Sequence, residues 1–279
     1  VRLGGHDVER QADPERWVAG LRRLGYSAAP CPVEADAPDD LRRAYVEAAK
    51  RADIVIAEVG AWSNPLDPDE TKRTEAIRHN QQQLALADEM GAHCCVNVSG
   101  SRGAERWAGP HPDNLTQDTF DLIVETTRRI IDAAKPSRTF YTLETMPWMY
   151  PDSADSYLRL IEAIDRERFA VHFDPVNLIS SPQRYFANAD LLRECFRKLG
   201  PHVKCCHAKD ITLADKLTVH LDEVRPGLGA LDYRTFLTEL DRLDPDVPLM
   251  IEHLSTPGEY AAAAAHIRKV AGEVGIRLR

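Results

Sequence analysis

The chain has 279 residues, 43% hydrophobic and 28% charged, which is enough to bury a large core and is the profile of an ordinary globular protein. Its net charge is −9, and the paired basic residues Arg22-Arg23, Arg42-Arg43 and Arg128-Arg129 are scattered rather than clustered, which argues against a nucleic-acid binder. No apolar run approaches the roughly 20 residues of a membrane span and no signal-peptide pattern is read, so a cytoplasmic protein with no membrane partner is expected.

The chain opens without Met at Val1-Arg2-Leu3, already strand-like, so an N-terminal piece preceding this numbering is expected. That strand ends in Gly4-Gly5-His6-Asp7. A helix follows from about Asp13 to Leu24, with Pro14 just inside its start and Gly25 just past its end. A second strand is read near Ser27–Val33, weakened by Pro30 and Pro32, and a helix over Asp39–Arg51. The third strand is Ile54–Val59, its helix Glu70–Met90, stopped by Gly91. The fourth strand is Cys94–Val98, followed by a long loop and a helix over Leu115–Ala134.

The fifth strand is Phe140–Thr145, with a helix beginning near Asp152. The sixth is Phe169–Asp174, with a helix over Asn188–Leu199. The seventh is Val203–His207, after which a long loop leads to a helix over Tyr233–Leu243. The eighth is Pro248–His253, and the last helix is Pro257–Val274. Eight strands alternating with helices, without a composition break, predict one (β/α)8 barrel, a TIM barrel, over residues 1–279. An open doubly wound sheet would show a Gly-rich nucleotide loop after its first strand, and Gly4-Gly5 is too short for that.

Of the six cysteines, Cys94-Cys95 and Cys205-Cys206 are adjacent in apolar strands, where neighbours face opposite ways. Bridges within a pair are not expected, and all six, with Cys31 and Cys195, read as buried reduced thiols.

Four late strands each end in a metal-ligand type: Glu144, Asp174, His207 and Glu252. In a barrel the C-terminal strand ends form one mouth, so these side chains should converge. Strand parity puts Thr142, His172, Cys205 and Met250 on the same inward face, and Leu143, Phe173, Cys206 and Ile251 towards the helices. Three buried carboxylates repel one another, and a divalent cation resolves that repulsion. Three oxygen ligands and one imidazole suit Mn²⁺, with Mg²⁺ or Co²⁺ as alternatives.

Leu143-Glu144-Thr145, His172-Phe173-Asp174-Pro175-Val176-Asn177, His207-Ala208-Lys209-Asp210 and Arg225-Pro226-Gly227-Leu228-Gly229, completed by Glu252, resemble the xylose isomerase-like sugar isomerase/epimerase superfamily. The resemblance runs from Ile54 onward. It implies a metal-dependent enzyme acting on a keto sugar or sugar derivative: metal-bound Glu144 and Glu252 on opposite faces of the reacting carbon, one removing a proton and the other returning it through an enediolate, with Asp174 and His207 as ligands only. The ketose 3-epimerase branch commonly carries His where Asn177 stands and Glu where Tyr150 stands, so those substrate contacts differ here. A small carbohydrate is the expected partner, with Lys209, Asn177, Trp148, Tyr150, Trp62 and His6 as candidate contacts; a homo-oligomer is compatible with the family.

For Lys209 the alternatives are a substrate oxygen or pairing with Asp222 or Glu223, and for the aromatics a role as loop anchors. Asp210 reads as a loop-fixing group and His172 as a core histidine, while Glu58, Asn97 and Arg102 are weaker pocket candidates. The rival on the same scaffold is a lyase, an inosose-type dehydratase or an enzyme cleaving 3-oxo C-glycosides, which shares the opening proton abstraction. A DNA-repair endonuclease of the related barrel type, built on a cluster of about three zinc ions, and a non-catalytic subunit are more distant alternatives.

Overall fold

The computed structural model describes residues 1–6 and 13–279; Asp7, at the end of the first strand's Gly-Gly-His-Asp stretch, lies outside the described residues. The strands are β1 (Arg2–Gly5), β2 (Ala28–Pro30), β3 (Val55–Gly60), β4 (Cys94–Asn97), β5 (Tyr141–Glu144), β6 (Phe169–Phe173), β7 (Val203–Ala208), β8 (Asp210–Ala214), β9 (His220–Val224) and β10 (Pro248–Ile251). All but β8 and β9 are parallel and close into a barrel in the spatial order β1, β10, β7, β6, β5, β4, β3, β2. The helices between them are α1 (Pro14–Leu24), α2 (Asp39–Ala52), α3 (Glu70–Met90), α4 (Gln117–Ala134), α5 (Ala154–Ile164), α6 (Pro182–Phe186), α7 (Asn188–Leu199), α8 (Tyr233–Leu240) and α9 (Pro257–Glu273). This is the (β/α)8 barrel that the alternation of apolar runs predicts. No helix among the described residues is long and apolar enough to cross a membrane.

Local chemistry sets the boundaries. Asp13 caps α1 by accepting from the Glu15 and Arg16 N–H groups, Pro14 occupies the first turn, and Gly25 ends the helix at φ 68°. Asp69 and Gly91 do the same for α3. The α4 helix starts two residues later than the sequence suggests, because Pro112–Leu115 forms a separate 3-10 turn and Thr116 is the cap.

Two layers of apolar packing hold the barrel. Ala28, Ala57, Cys94, Val96, Cys205 and Met250 fill its interior. Leu143, Phe173, Cys206 and Ile251 belong to the larger layer between strands and helices, as strand parity requires. The interior is narrow at β1: a Cβ on Gly4 would strike the Ala28 carbonyl and the Met250 sulfur. None of the six cysteines is in a disulfide, and all six are buried.

Three expectations change. The second strand shrinks to Ala28–Pro30, since Pro30 brings no N–H to the sheet. The short helix α6, begun by Ser181 and Pro182, precedes α7. The stretch after β7 is not a plain loop: β8 and β9 form an antiparallel hairpin.

Candidate metal centre

The four predicted ligands come from four consecutive barrel strands, β5, β6, β7 and β10. Glu144 is the last residue of β5, Asp174 and Glu252 stand one residue past β6 and β10, and His207 is the penultimate residue of β7. The structure brings all four together, each with a potential ligand atom within 4.8 Å of the others. All are buried. His207 Nδ1 lies 3.1 Å from Glu144 Oε1 and 2.7 Å from Glu252 Oε1.

Asp174 is aimed by its own turn. Its Oδ1 accepts the Val176 and Asn177 N–H groups, and the Thr145 hydroxyl both donates to the Asp174 carbonyl and accepts its N–H. That leaves Oδ2 facing the cluster. Asp174 Oδ2 and Glu252 Oε1 are buried yet accept no well-aligned hydrogen bond. Buried oxygens of that kind, beside an imidazole nitrogen, are the donor set a hard divalent cation fits.

Lys209 reaches the same place. Its Nζ lies 2.7 Å from Glu252 Oε1, 2.8 Å from Asp174 Oδ2, 3.7 Å from Glu144 Oε1 and 3.5 Å from Glu223 Oε2 on β9. Of the two carboxylates considered for it, Glu223 is a partner. Burial opposes the ammonium charge, but Asp174, Glu144 and Glu252 outweigh it and hold the Lys209 pKa well above its usual range. The same balance acts on His207: burial works against the charged ring, and Glu252, Glu144 and Glu58 raise its pKa well above the usual value. Burial also opposes ionisation of Glu144 and Glu252, yet His207 keeps both carboxyls below the ordinary range. Asp174 goes the other way. Burial pushes its carboxyl up to about 6, and Lys209 only partly offsets that.

Of the remaining candidates, Asn177 touches the cluster, His6 and His172 lie against Glu58, and the others are held by contacts elsewhere. Asn177 donates its amide to Glu144 Oε1 at 3.2 Å, so it touches the site. His6 and His172 both face Glu58, at 2.9 and 2.8 Å. Trp62 and Trp148 are 40% exposed; Trp62 packs over Gly60, and the Trp148 indole N–H donates to the Ala108 carbonyl. Tyr150 serves as a loop anchor, its hydroxyl donating to the Leu115 carbonyl and its ring edge-on to Phe120. Asn97 is fully buried and ties Ser63 to Asn80. Asp210 fixes the loop: its carboxylate accepts the N–H groups of Ile211, Gly227, Gly229 and Leu231.

Glu58 is more central than its sequence position suggests. Its carboxylate, 2% exposed, faces His6, His172 and, at 3.5 Å, His207 Nε2. A register shift explains this. Ala29 pairs with Ile56 but Pro30 with Glu58, so Ala57 is an extra residue in β3 and Glu58 turns inward behind it.

A closed parallel barrel whose acidic cluster sits at the C-terminal mouth defines the class: a (β/α)8 barrel with a candidate metal centre where this fold places its active sites. The profile of the family described as xylose isomerase-like TIM barrel matches residues 18–270, and the chain belongs to that family. Among solved structures it is similar to endonuclease IV from Thermus thermophilus, with TM-score 0.74 and 15% identity over 98% of this chain and 100% of that one. It is similar to D-psicose 3-epimerase with D-tagatose from Clostridium cellulolyticum, with TM-score 0.70 and 13% identity over 99% and 100%. A xylose isomerase-like TIM barrel protein from Mycobacterium smegmatis, in complex with magnesium, matches with TM-score 0.66 and 16% identity over 95% and 91%. At these identities the likeness is one of fold. Among curated proteins, none matches the chain.

Proposed function

We propose that the protein is a divalent-metal-dependent isomerase or epimerase acting on a keto sugar or sugar derivative by abstraction of the proton next to the carbonyl. The observation that carries this reading is the convergence of Glu144, Asp174, His207 and Glu252 within 4.8 Å at the barrel mouth. Those four residues would hold the ion, Mn²⁺ in the first instance, with Mg²⁺ or Co²⁺ as alternatives. When bound, the ion supplies the electrophile that stabilises an enediolate of the substrate.

The protein's own groups do the rest. Glu144 and Glu252 stand at the two ends of the four-strand arc, with Asp174 and His207 between them, so they approach a substrate from different sides. One carboxylate takes the α-proton and the other returns one. Asn177, hydrogen-bonded to Glu144 Oε1, holds that carboxylate in place. Lys209 and His6 would meet substrate oxygens at the mouth, and Trp62 and Trp148, both partly exposed, would offer faces to a sugar or an aglycone.

The Asn177 and Tyr150 positions favour a second reading. Asn177 is committed to Glu144, and Tyr150 to the Leu115 carbonyl. Neither offers the His or Glu contact of the ketose 3-epimerase branch. A lyase would share the proton abstraction and then expel water or an aglycone from the neighbouring carbon.

Metal-loaded protein incubated with keto sugars and 3-oxo glycosides in D₂O tests both. Deuterium at the carbon next to the carbonyl is the expected result. Conserved product mass apart from the label marks an isomerase, and loss of water or aglycone marks a lyase. Cleavage of abasic DNA with no exchange into any sugar would overturn the proposal.

A further inference from the structure

We infer that Glu58 is a positioning residue that fixes the tautomer of His207, keeping the proton on Nε2 and leaving Nδ1 free as the ligand nitrogen. The inference rests on the metal reading above. It begins with the ring itself. A neutral imidazole carries one proton on one of two nitrogens, and the nitrogen that binds a cation must be the other.

Nδ1 of His207 is the nitrogen among the carboxylates, 2.7 Å from Glu252 and 3.1 Å from Glu144. The proton therefore belongs on Nε2. That nitrogen is buried and has no aligned hydrogen-bond partner. The charged group facing it is the Glu58 carboxylate at 3.5 Å. At that distance the pairing is electrostatic rather than a full hydrogen bond, and a buried anion still favours a proton on the nearest nitrogen.

Glu58 is itself held. His6 Nε2 lies 2.9 Å from Oε1, while His172 Nε2 lies 2.8 Å and Cys205 Sγ 3.4 Å from Oε2. The carboxylate stands on β3 and meets His172 of β6, Cys205 of β7 and, as an ion pair, His6 just after β1, so it reaches across the barrel interior towards His207. The extra residue Ala57 puts it there. A carboxylate behind a ligand histidine typically contributes about 10–100-fold in metal affinity.

The experiment is a calorimetric titration of Mg²⁺ into chelator-treated wild type, Glu58→Gln and Glu58→Asp, with ¹⁵N-histidine NMR of Mg²⁺-loaded wild type. Glu58→Gln should fold, bind about 10–100-fold more weakly, and recover in part as Glu58→Asp, which keeps the charge. Wild-type His207 should carry its proton on Nε2. A folded Glu58→Gln with wild-type affinity, or a wild-type His207 protonated on Nδ1, overturns the inference. Should Glu58→Gln not fold, Glu58→Asp decides: Mg²⁺ binding weaker than wild type supports the role of Glu58, and binding as tight as wild type overturns it. Failure of wild type to bind either Mg²⁺ or Mn²⁺ sinks the metal reading and this inference together, whereas equal binding by both proteins removes only the role of Glu58.

Discussion

Three carboxylates, one imidazole and one ammonium share the barrel mouth, and the single residue most at odds with that company is Asp174. Burial lifts its carboxyl from 3.8 to about 6 despite Lys209. In the metal-free protein the folded state therefore holds more protons than the unfolded chain between those values, and stability falls as pH rises through that window. Above it the ionised, buried Asp174 is a net cost to the folded state. Metal-free Asp174→Asn should then melt higher than wild type at about pH 8, with the difference gone at about pH 5, where Asp174 is protonated. The same variant should bind Mn²⁺ more weakly. Equal melting at both pH values would show that Asp174 carries no such strain. Glu144 and Glu252 call for a different substitution. Glu144→Gln or Glu252→Gln keeps an oxygen ligand but removes the proton acceptor, so each should retain metal yet lose turnover by about 10² or more. A Gln variant with bound metal and near wild-type turnover would reduce that residue to a ligand.

The elements were legible in the chain wherever period and punctuation agreed. Glu70–Met90 is bounded by Asp69 and Gly91, and its predicted and observed limits coincide. The four candidate ligands were legible because each follows an apolar run and strand parity turns them one way. Glu58 was obscured because strict alternation along Val55–Gly60 assigns it to the helix side, and the extra residue at Ala57 cannot be seen without the pairing of β2 and β3. The hairpin of β8 and β9 was read as loop although Asp210-Ile211-Thr212-Leu213 and Val219-His220-Leu221-Asp222 alternate polar and apolar residues, because the runs are short, partly exposed and lie between two barrel strands, where a plain crossover is the simpler reading. Asp210 is the link between that hairpin and the barrel. It gathers the N–H groups of Gly227, Gly229 and Leu231 at 2.9–3.1 Å, and a Cβ on Gly229 would collide with it. Asp210→Ala should destabilise the protein by about 1–3 kcal/mol through these orphaned donors and speed amide exchange at residues 227–231 in hydrogen-exchange measurements. Unchanged protection there would mean the loop is held by other contacts.

At the scale of the molecule, the candidate ligands are confined to one arc of the barrel. Strands β5, β6, β7 and β10 supply the four candidate ligands, and β3 reaches across beneath them with Glu58. The opposite arc carries His6 after β1 and Trp62 after β3, the side that a substrate would meet in the proposed function. This division matches the logic of a barrel, in which strands fix the reacting groups and the loops beyond them choose what enters. It depends on one divalent ion between the four side chains, with Lys209 giving way toward Glu223. A crystal grown with Mn²⁺ and measured at an anomalous wavelength tests this most directly. A single strong anomalous peak is expected at about 2.0–2.3 Å from Glu144, Asp174, His207 Nδ1 and Glu252, with the Lys209 ammonium moved off Asp174 and Glu252. A Mn²⁺-saturated crystal with no peak among those four, or with its peak on Glu58 and His172 instead, would contradict it.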